Sequence, residues 1–283
     1  MSGGPDDAAA RRRLLALDVD GTLLTTAAAM SSRTRDALVG AKAAGWHIAL
    51  ITGRPLAHAM PVVDELGLGE YVVAANGATV AEISSRAVLY QASLPGDLVV
   101  EAIRRARAAV PGLGLAVSTP GRFAQEAGFD VLAPLTKADG VVVDDACPRA
   151  DEVVHSVVLF VDGIDALALR DAVAAVVPDG VAVSPSGLPG SVELTAPGVH
   201  KGSGVIHLSA RLGVRQEDVV AFGDGLNDHE MLAWAGLGVA MGNASAETKA
   251  VADEVTTSND EDGVALVVER LVARTKVNGG VPA

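Results

Sequence analysis

Four polar clusters in this sequence have the residue types to hold a charged ligand: Asp18-Val19-Asp20-Gly21-Thr22, Thr52-Gly53-Arg54, Lys201-Gly202 and Gly223-Asp224-Gly225-Leu226-Asn227-Asp228. Asp18 ends an apolar run, so its carboxylate is expected to be partly buried, with Asp20 two positions on. Carboxylates this close repel one another, and desolvation raises the cost of each charge. Asp224 and Asp228 add two more if folding brings the clusters together. Such a group calls for a cation, and an all-oxygen donor set suits Mg²⁺ better than zinc. Lys201 is expected to open a helix, where the dipole disfavours a cation unless an anion lies between the ammonium and the free N–H groups. Thr52 and Gly53 offer a hydroxyl donor and a close backbone approach. With a metal site, these groups describe a pocket for a phosphoryl group.

The elements that must position them follow a regular alternation. Leu14–Asp18, His47–Thr52 and Tyr71–Ala75 read as buried strands. Between them lie helices from Ser31 or Ser32 to Ala44, stopped by Gly45, and from Pro55 to Leu66, followed by Gly67. Alternation of this kind predicts a parallel sheet with helices on both faces. Ligands bind such a sheet at the carboxyl ends of its strands, which is where the clusters fall.

The rhythm changes after Ala78. A hairpin over Thr79–Ile83 and Ala87–Gln91 is followed by a helix near Asp97–Ala109 and a Gly/Pro-rich passage. A strand at Val153–Val161, a helix at Asp165–Val176 and a strand at Val181–Ser184 come next. Residues 79–188 therefore read as an inserted α+β domain, with residues 1–78 and 189–283 forming a discontinuous core. The parallel pattern is expected to resume after Pro189, with strands at Ser191–Leu194, Val219–Phe222, Leu237–Ala240 and Glu254–Thr256. Helices are expected at Gly202–Leu212, Asp228–Ala235, Ala246–Ala252 and Gly263–Arg274. Met1–Ala10 and Val277–Ala283 read as loose ends.

Composition narrows the partners. The chain has 283 residues, 49% of them hydrophobic and only 3% aromatic, so aliphatic side chains must fill the core. The net charge of −13 repels nucleic acid and anionic membrane. The basic run Arg11–Arg13 is too short to reverse that. No stretch is long and apolar enough to span a bilayer, and one cysteine, Cys147, fits a reducing compartment. A cytoplasmic location is expected, and the oligomeric state is left open. No P-loop or dinucleotide fingerprint occurs, and the six histidines lack zinc-ligand spacing.

In this order the four clusters resemble the motifs of the haloacid dehalogenase superfamily of phosphotransferases. The long span from Thr52 to Lys201 points to its Cof-type branch (subclass IIB), as do Asn76-Gly77-Ala78, Met241-Gly242-Asn243-Ala244 and Asp262-Gly263-Val264. The resemblance implies a Rossmann-like core with a C2-type α+β cap and a phosphatase using Mg²⁺ on small phosphorylated metabolites. Sugar phosphates or phosphorylated cofactors are the expected substrates. It further implies Asp18 as nucleophile and Asp20 as general acid and base, with Thr22 fixing Asp20 through a hydroxyl bond. Mg²⁺ would be held by Asp18, the Asp20 carbonyl and Asp224, and Asp228 would hold its water or orient Lys201. Thr52, Gly53, Lys201 and Asn227 would surround the phosphoryl oxygens, and Arg54 and Asn76 could contact substrate or cap. A phosphomutase of the same superfamily is the alternative enzyme. A receiver-like phospho-acceptor and a non-catalytic metabolite binder are the rivals from other classes.

Overall fold

The computed structural model describes residues 12–119, 122–127, 141–186 and 188–278. The loose segment expected at Met1–Ala10 and residues 279–283 of the expected tail lie outside the described residues.

In chain order the elements begin with β1 (Arg13–Asp18), α1 (Ser32–Ala43), β2 (Trp46–Ile51), α2 (Leu56–Leu66) and β3 (Tyr71–Ala74). There follow β4 (Thr79–Glu82), β5 (Val88–Gln91), β6 (Leu94–Pro95), α3 (Gly96–Ala109), β7 (Gly114–Thr119), β8 (Arg122–Glu126) and β9 (Val141–Val143). Next are β10 (Val153–Val154), β11 (Ser156–Phe160), α4 (Ala166–Ala174), β12 (Ala182–Pro185) and β13 (Ser191–Thr195). The chain continues with α5 (Lys201–Leu212), β14 (Val219–Gly223), α6 (His229–Trp234) and β15 (Leu237–Ala240). It closes with α7 (Ala246–Val251), β16 (Glu254–Val255) and α8 (Gly263–Asn278).

These elements divide between two compact units, one of Met1–Leu50, Leu66–Tyr71 and Val205–Ala283, the other of Ile51–Glu65 and Val72–Gly204. In the first, strands follow the order β16-β15-β14-β1-β2. The β1–β14, β14–β15 and β15–β16 pairs are parallel. Leu14, Leu15, Leu17, Ile48, Leu50 and Phe222 are fully buried, as near-continuous apolar strands covered on both faces should be. Ser31 caps α1 by accepting a hydrogen bond from the Thr34 N–H at 3.0 Å, and Gly45 follows its end at φ +83°. The register sets Leu17 opposite Phe222, so Asp18 and Asp224 emerge at one edge of the sheet.

The second unit contains the run β3-β4-β5, the short pair β10-β6 and a sheet in the order β12-β13-β11-β7-β8-β9. The expected hairpin is β4–β5, with an irregularity between Val80 and Ala81. One face of the six-stranded sheet is apolar. Leu115, Val117, Val157, Leu159, Val192 and Leu194 pack there against Val99 and Ile103 of α3 and Leu169 and Val173 of α4. Alternation along the strands puts Ser118, Ser156, Ser191, Glu193 and Thr195 on the other face, and all five are buried.

Two expectations change here. β13 does not resume the parallel pattern, because it pairs antiparallel with both β11 and β12. The strand expected over Val153–Val161 is divided at His155 into β10, paired with β6, and β11, paired with β7. Strands β7, β8 and β9 fall in the passage read only as Gly/Pro-rich.

Candidate active site

In the first unit the chain reverses sharply after β1. Leu23 N–H donates to the Asp18 carbonyl at 3.2 Å, and Leu24 N–H to the Val19 carbonyl at 2.9 Å. Gly21 takes φ +83° in this turn, a conformation that disfavours a side chain. Buried Asp18 lies near Asp224 and Asp228, and one carboxylate oxygen from each falls within 4.8 Å of the others. The cluster therefore unites residues from the first and last thirds of the chain.

Asp224 and Asp228 are held by neighbours of known geometry. Asp228 Oδ2 accepts hydrogen bonds from the Asp224 N–H at 3.0 Å and the Gly225 N–H at 2.9 Å, closing its own turn. Asp224 Oδ1 accepts from the Thr22 hydroxyl at 3.1 Å. This corrects the expectation for Thr22, whose hydroxyl steers Asp224 rather than Asp20. Asn243, from a loop after β15, donates from Nδ2 to both Asp224 Oδ2 (3.1 Å) and the Gly21 carbonyl (2.8 Å). Its Oδ1 accepts from the Asn259 N–H at 3.1 Å. Asp20 has an exposed side chain outside the three-carboxylate cluster and bridges through its backbone to Leu24. Asn227 is half-buried in the turn after β14.

Three close oxygens, two of them on buried residues, form a donor set that fits a hard divalent cation. Their mutual repulsion is relieved by positive charge.

In the second unit the sequence-predicted residues gather around two turns. Thr52 follows β2 and is buried; its N–H donates to the Val73 carbonyl at 2.8 Å, and its Oγ1 accepts from the Arg54 N–H at 3.1 Å. The turn after β3 carries Ala75 at φ +48° and Asn76 at φ +46°. Non-glycine residues adopt this region rarely, so surrounding contacts must hold it. The Asn76 N–H donates to the Thr52 carbonyl at 3.2 Å. Its side-chain amide donates to Glu193 Oε2 and, at 3.3 Å, to the Ser186 carbonyl. Gly53 lies against that amide: an added Cβ would be 3.2 Å from Asn76 Oδ1. Lys201 begins α5 with 2% of its surface exposed.

Burial pushes the Glu193 carboxyl up to about 7, against the Asn76 and Ser156 hydrogen bonds and the Lys201 charge. Sequence reasoning passed over Glu193 and gave Asn243 no role beyond its place in the Met241–Ala244 signature. A lone acid in an alternating strand carries no motif, although an acid flanked by apolar residues on both sides was a usable signal.

The histidines beside the motifs have structural partners. His200 Nδ1 accepts from the Ser203 N–H at 3.2 Å, while the His200 N–H donates to Ser203 Oγ at 3.1 Å. His229 Nε2 lies 2.9 Å from the Thr248 hydroxyl. His58 meets the Phe123 ring edge-on at 4.5 Å between centroids.

Comparison with known proteins agrees with this geometry. The profile of the haloacid dehalogenase-like hydrolases matches residues 15–268. The chain is 33% identical over 276 residues to YxeH of Bacillus subtilis strain 168, covering 92% of this chain and 98% of that protein. It is 31% identical over 255 residues to the 5-amino-6-(5-phospho-D-ribitylamino)uracil phosphatase YitU of the same strain, covering 89% and 94%. The solved structure of the HAD subclass IIB sugar phosphatase BT4131 superposes with a TM-score of 0.79 at 25% identity, covering 92% of this chain and 98% of that one. Among the described residues no helix is long and apolar enough to cross a membrane. A polar cluster at the edge of a parallel sheet, a second α+β unit and relatives matched over nearly their whole length lead to one assignment. The chain belongs to the haloacid dehalogenase-like hydrolases, in their Cof-type subclass IIB branch, and is a phosphoric monoester hydrolase.

Proposed function

We propose that this enzyme is a Mg²⁺-dependent, cytoplasmic phosphatase of small phosphorylated metabolites, working through an aspartyl-phosphate on Asp18. The observation that carries the reading is the convergence of Asp18, Asp224 and Asp228 carboxylate oxygens within 4.8 Å. Asp18, Asp224, Asp228 and the Asp20 carbonyl would hold the ion, which when bound offsets negative charge on the phosphoryl oxygens.

The remaining chemistry belongs to the chain. An Asp18 oxygen attacks phosphorus, the ester oxygen leaves, and the Asp20 carboxyl donates the proton that the alkoxide takes up. Asp20 then removes a proton from water, whose oxygen attacks the phosphorus and releases Asp18 and inorganic phosphate. The exposed side chain of Asp20 suits a group that must meet both leaving group and water. Thr52, the Gly53 N–H, Lys201 and Asn227 are assigned to the phosphoryl oxygens, where positioned donors and positive charge supply most of the catalysis. Arg54 is assigned to the leaving group or the cap, and Asn76 to the turn that supports Gly53.

Residues 79–188 are proposed as the cap that closes over the ester and excludes bulk water, with 1–78 and 189–283 as the catalytic core apart from β13, which pairs into the antiparallel sheet of the cap. A sugar phosphate or phosphorylated cofactor is the proposed substrate class; the activities for which YitU and BT4131 are named support it. The test is a panel of metabolite phosphates with Mg²⁺ and with EDTA, run on wild type and Asp18→Asn. Metal-dependent phosphate release, lost in the variant, supports the reading. Turnover retained by Asp18→Asn removes the nucleophile, and release only with a bisphosphate activator points to a mutase.

A further inference from the structure

Glu193 is a buried carboxylate for which the chemistry above has no use. It has 1% of its surface exposed. Its β13 neighbours Val192 and Leu194 enter the apolar core of the second unit, leaving Glu193 on the opposite face. There its Oε2 and the Ser186 carbonyl are the two acceptors for the Asn76 NH₂ group. Two acceptors read the donor end of an amide and reject the flipped orientation, in which Oδ1 would face them. The amide so held lies against Gly53, where an added Cβ would be 3.2 Å from Oδ1 and 3.3 Å from Nδ2. The same turn supports the start of α5: a Cβ added to Gly77 would lie 2.1 Å from the carbonyl oxygen of His200, the residue before Lys201.

A carboxylate in such a place is expensive, and an apolar residue of its size would usually cost less. Its retention is explained if the acceptor geometry holds something. We propose that Glu193 is a positioning residue, which locks the Asn76 amide and through it the Thr52–Gly53 turn that receives the phosphoryl group. The inference rests on the phosphatase reading for the role of that turn. The contact from Glu193 to Asn76 to Gly53 stands independently of it.

The test combines kinetics with a direct view of the turn. Glu193→Leu removes the Oε2 acceptor and leaves only the Ser186 carbonyl, Glu193→Gln keeps the shape without the charge, and Asn76→Gly removes the amide while tolerating the left-handed backbone. Glu193→Leu and Asn76→Gly should each lower kcat about tenfold to a hundredfold with KM little changed, as expected for a slightly misplaced phosphoryl site. The double variant should lose no more than the worse single one. In ¹⁵N-labelled protein, Glu193→Leu should shift the Asn76 side-chain NH₂ and Gly53 N–H resonances while the thermal midpoint holds or rises. Unchanged kcat in Glu193→Leu, or losses that multiply in the double variant, would overturn the proposal. If the wild type hydrolyses no ester, the phosphatase reading falls, and the resonances alone decide whether Glu193 holds the turn. If Glu193→Leu does not fold, Asn76→Gly gives the same two readouts from the other end of the contact, with Gly53 unmoved and kcat intact as the negative result.

Discussion

Gly21 and Asp224 stand in contact so close that a Cβ on Gly21 would lie 2.4 Å from Asp224 Oδ2. The residue that turns the chain after the proposed nucleophile thereby fixes the floor under a proposed metal ligand. Gly21→Ala must push Asp224 aside and hold alanine at φ +83°. We expect a loss of about 1–3 kcal/mol in stability from the backbone alone. Mg²⁺ should then raise the thermal midpoint less than in wild type. Equal midpoints and equal Mg²⁺ stabilisation would show that the turn accepts a side chain after all.

Asp18→Asn should lower kcat by roughly three orders of magnitude or more, as expected for loss of a nucleophile. The same substitution removes one charge from three carboxylates gathered within 4.8 Å. In EDTA its thermal midpoint should therefore equal or exceed that of wild type. Calorimetry with and without Mg²⁺ reads both halves, and a lower midpoint in EDTA would mean that the Asp18 carboxylate stabilises the metal-free fold despite its acidic neighbours.

Thr22→Val removes the hydroxyl that steers Asp224 Oδ1, and Asn243→Ala removes the donor to Oδ2. A hydrogen bond to a charged group contributes about 1.5–3 kcal/mol. Each variant should weaken Mg²⁺ activation by roughly tenfold or more while KM at saturating metal stays close to wild type. Titrating Mg²⁺ at fixed substrate checks this; an unchanged activation constant in both variants would show that Asp224 is oriented without them.

Glu193 also makes a pH prediction. Its carboxyl is raised from 4.5 to about 7 in the folded protein, with burial the largest cause and Asn76, Ser156 and Lys201 opposing it. The folded state therefore holds a proton that the unfolded chain has released. This contribution to stability is present below about pH 4.5 and is lost as pH rises through 7. Relative to Glu193→Gln, wild type should lose on the order of 3 kcal/mol between pH 4.5 and 8. Urea unfolding of both proteins at pH 5, 6.5 and 8 measures the gap, and a gap independent of pH would refute it.

The parallel core was legible because its strands are unbroken aliphatic runs punctuated by residues with one physical role. Ser31 caps α1 and Gly45 ends it, as the sequence reading expects. The acidic cluster was legible for the same reason: Asp18 and Asp224 each follow such a run. The second unit was harder to read. β7 and β8 sit among glycines and prolines, and β13 reads as a core strand because its apolar Val192 and Leu194 come just where the parallel pattern is expected to resume. Which strand it pairs with is a long-range choice that local pattern does not contain. The partners of Thr22, Asn243 and Glu193 were illegible for a related reason, since each contact spans a sequence separation that only the folded chain closes.

The pairing of β1 with β14, Leu14 against Val219, has a consequence for the order of events during synthesis. β1 has β2 on one side soon after it is made, but it must wait for residues made more than two hundred positions later before its other neighbour, β14, exists. Contacts of such sequence separation close slowly. The hairpin-linked strands of the second unit find partners much nearer in sequence and can assemble while β1 is still waiting. An apolar strand left open for that interval is the part of this enzyme that a holdase chaperone would be expected to grip.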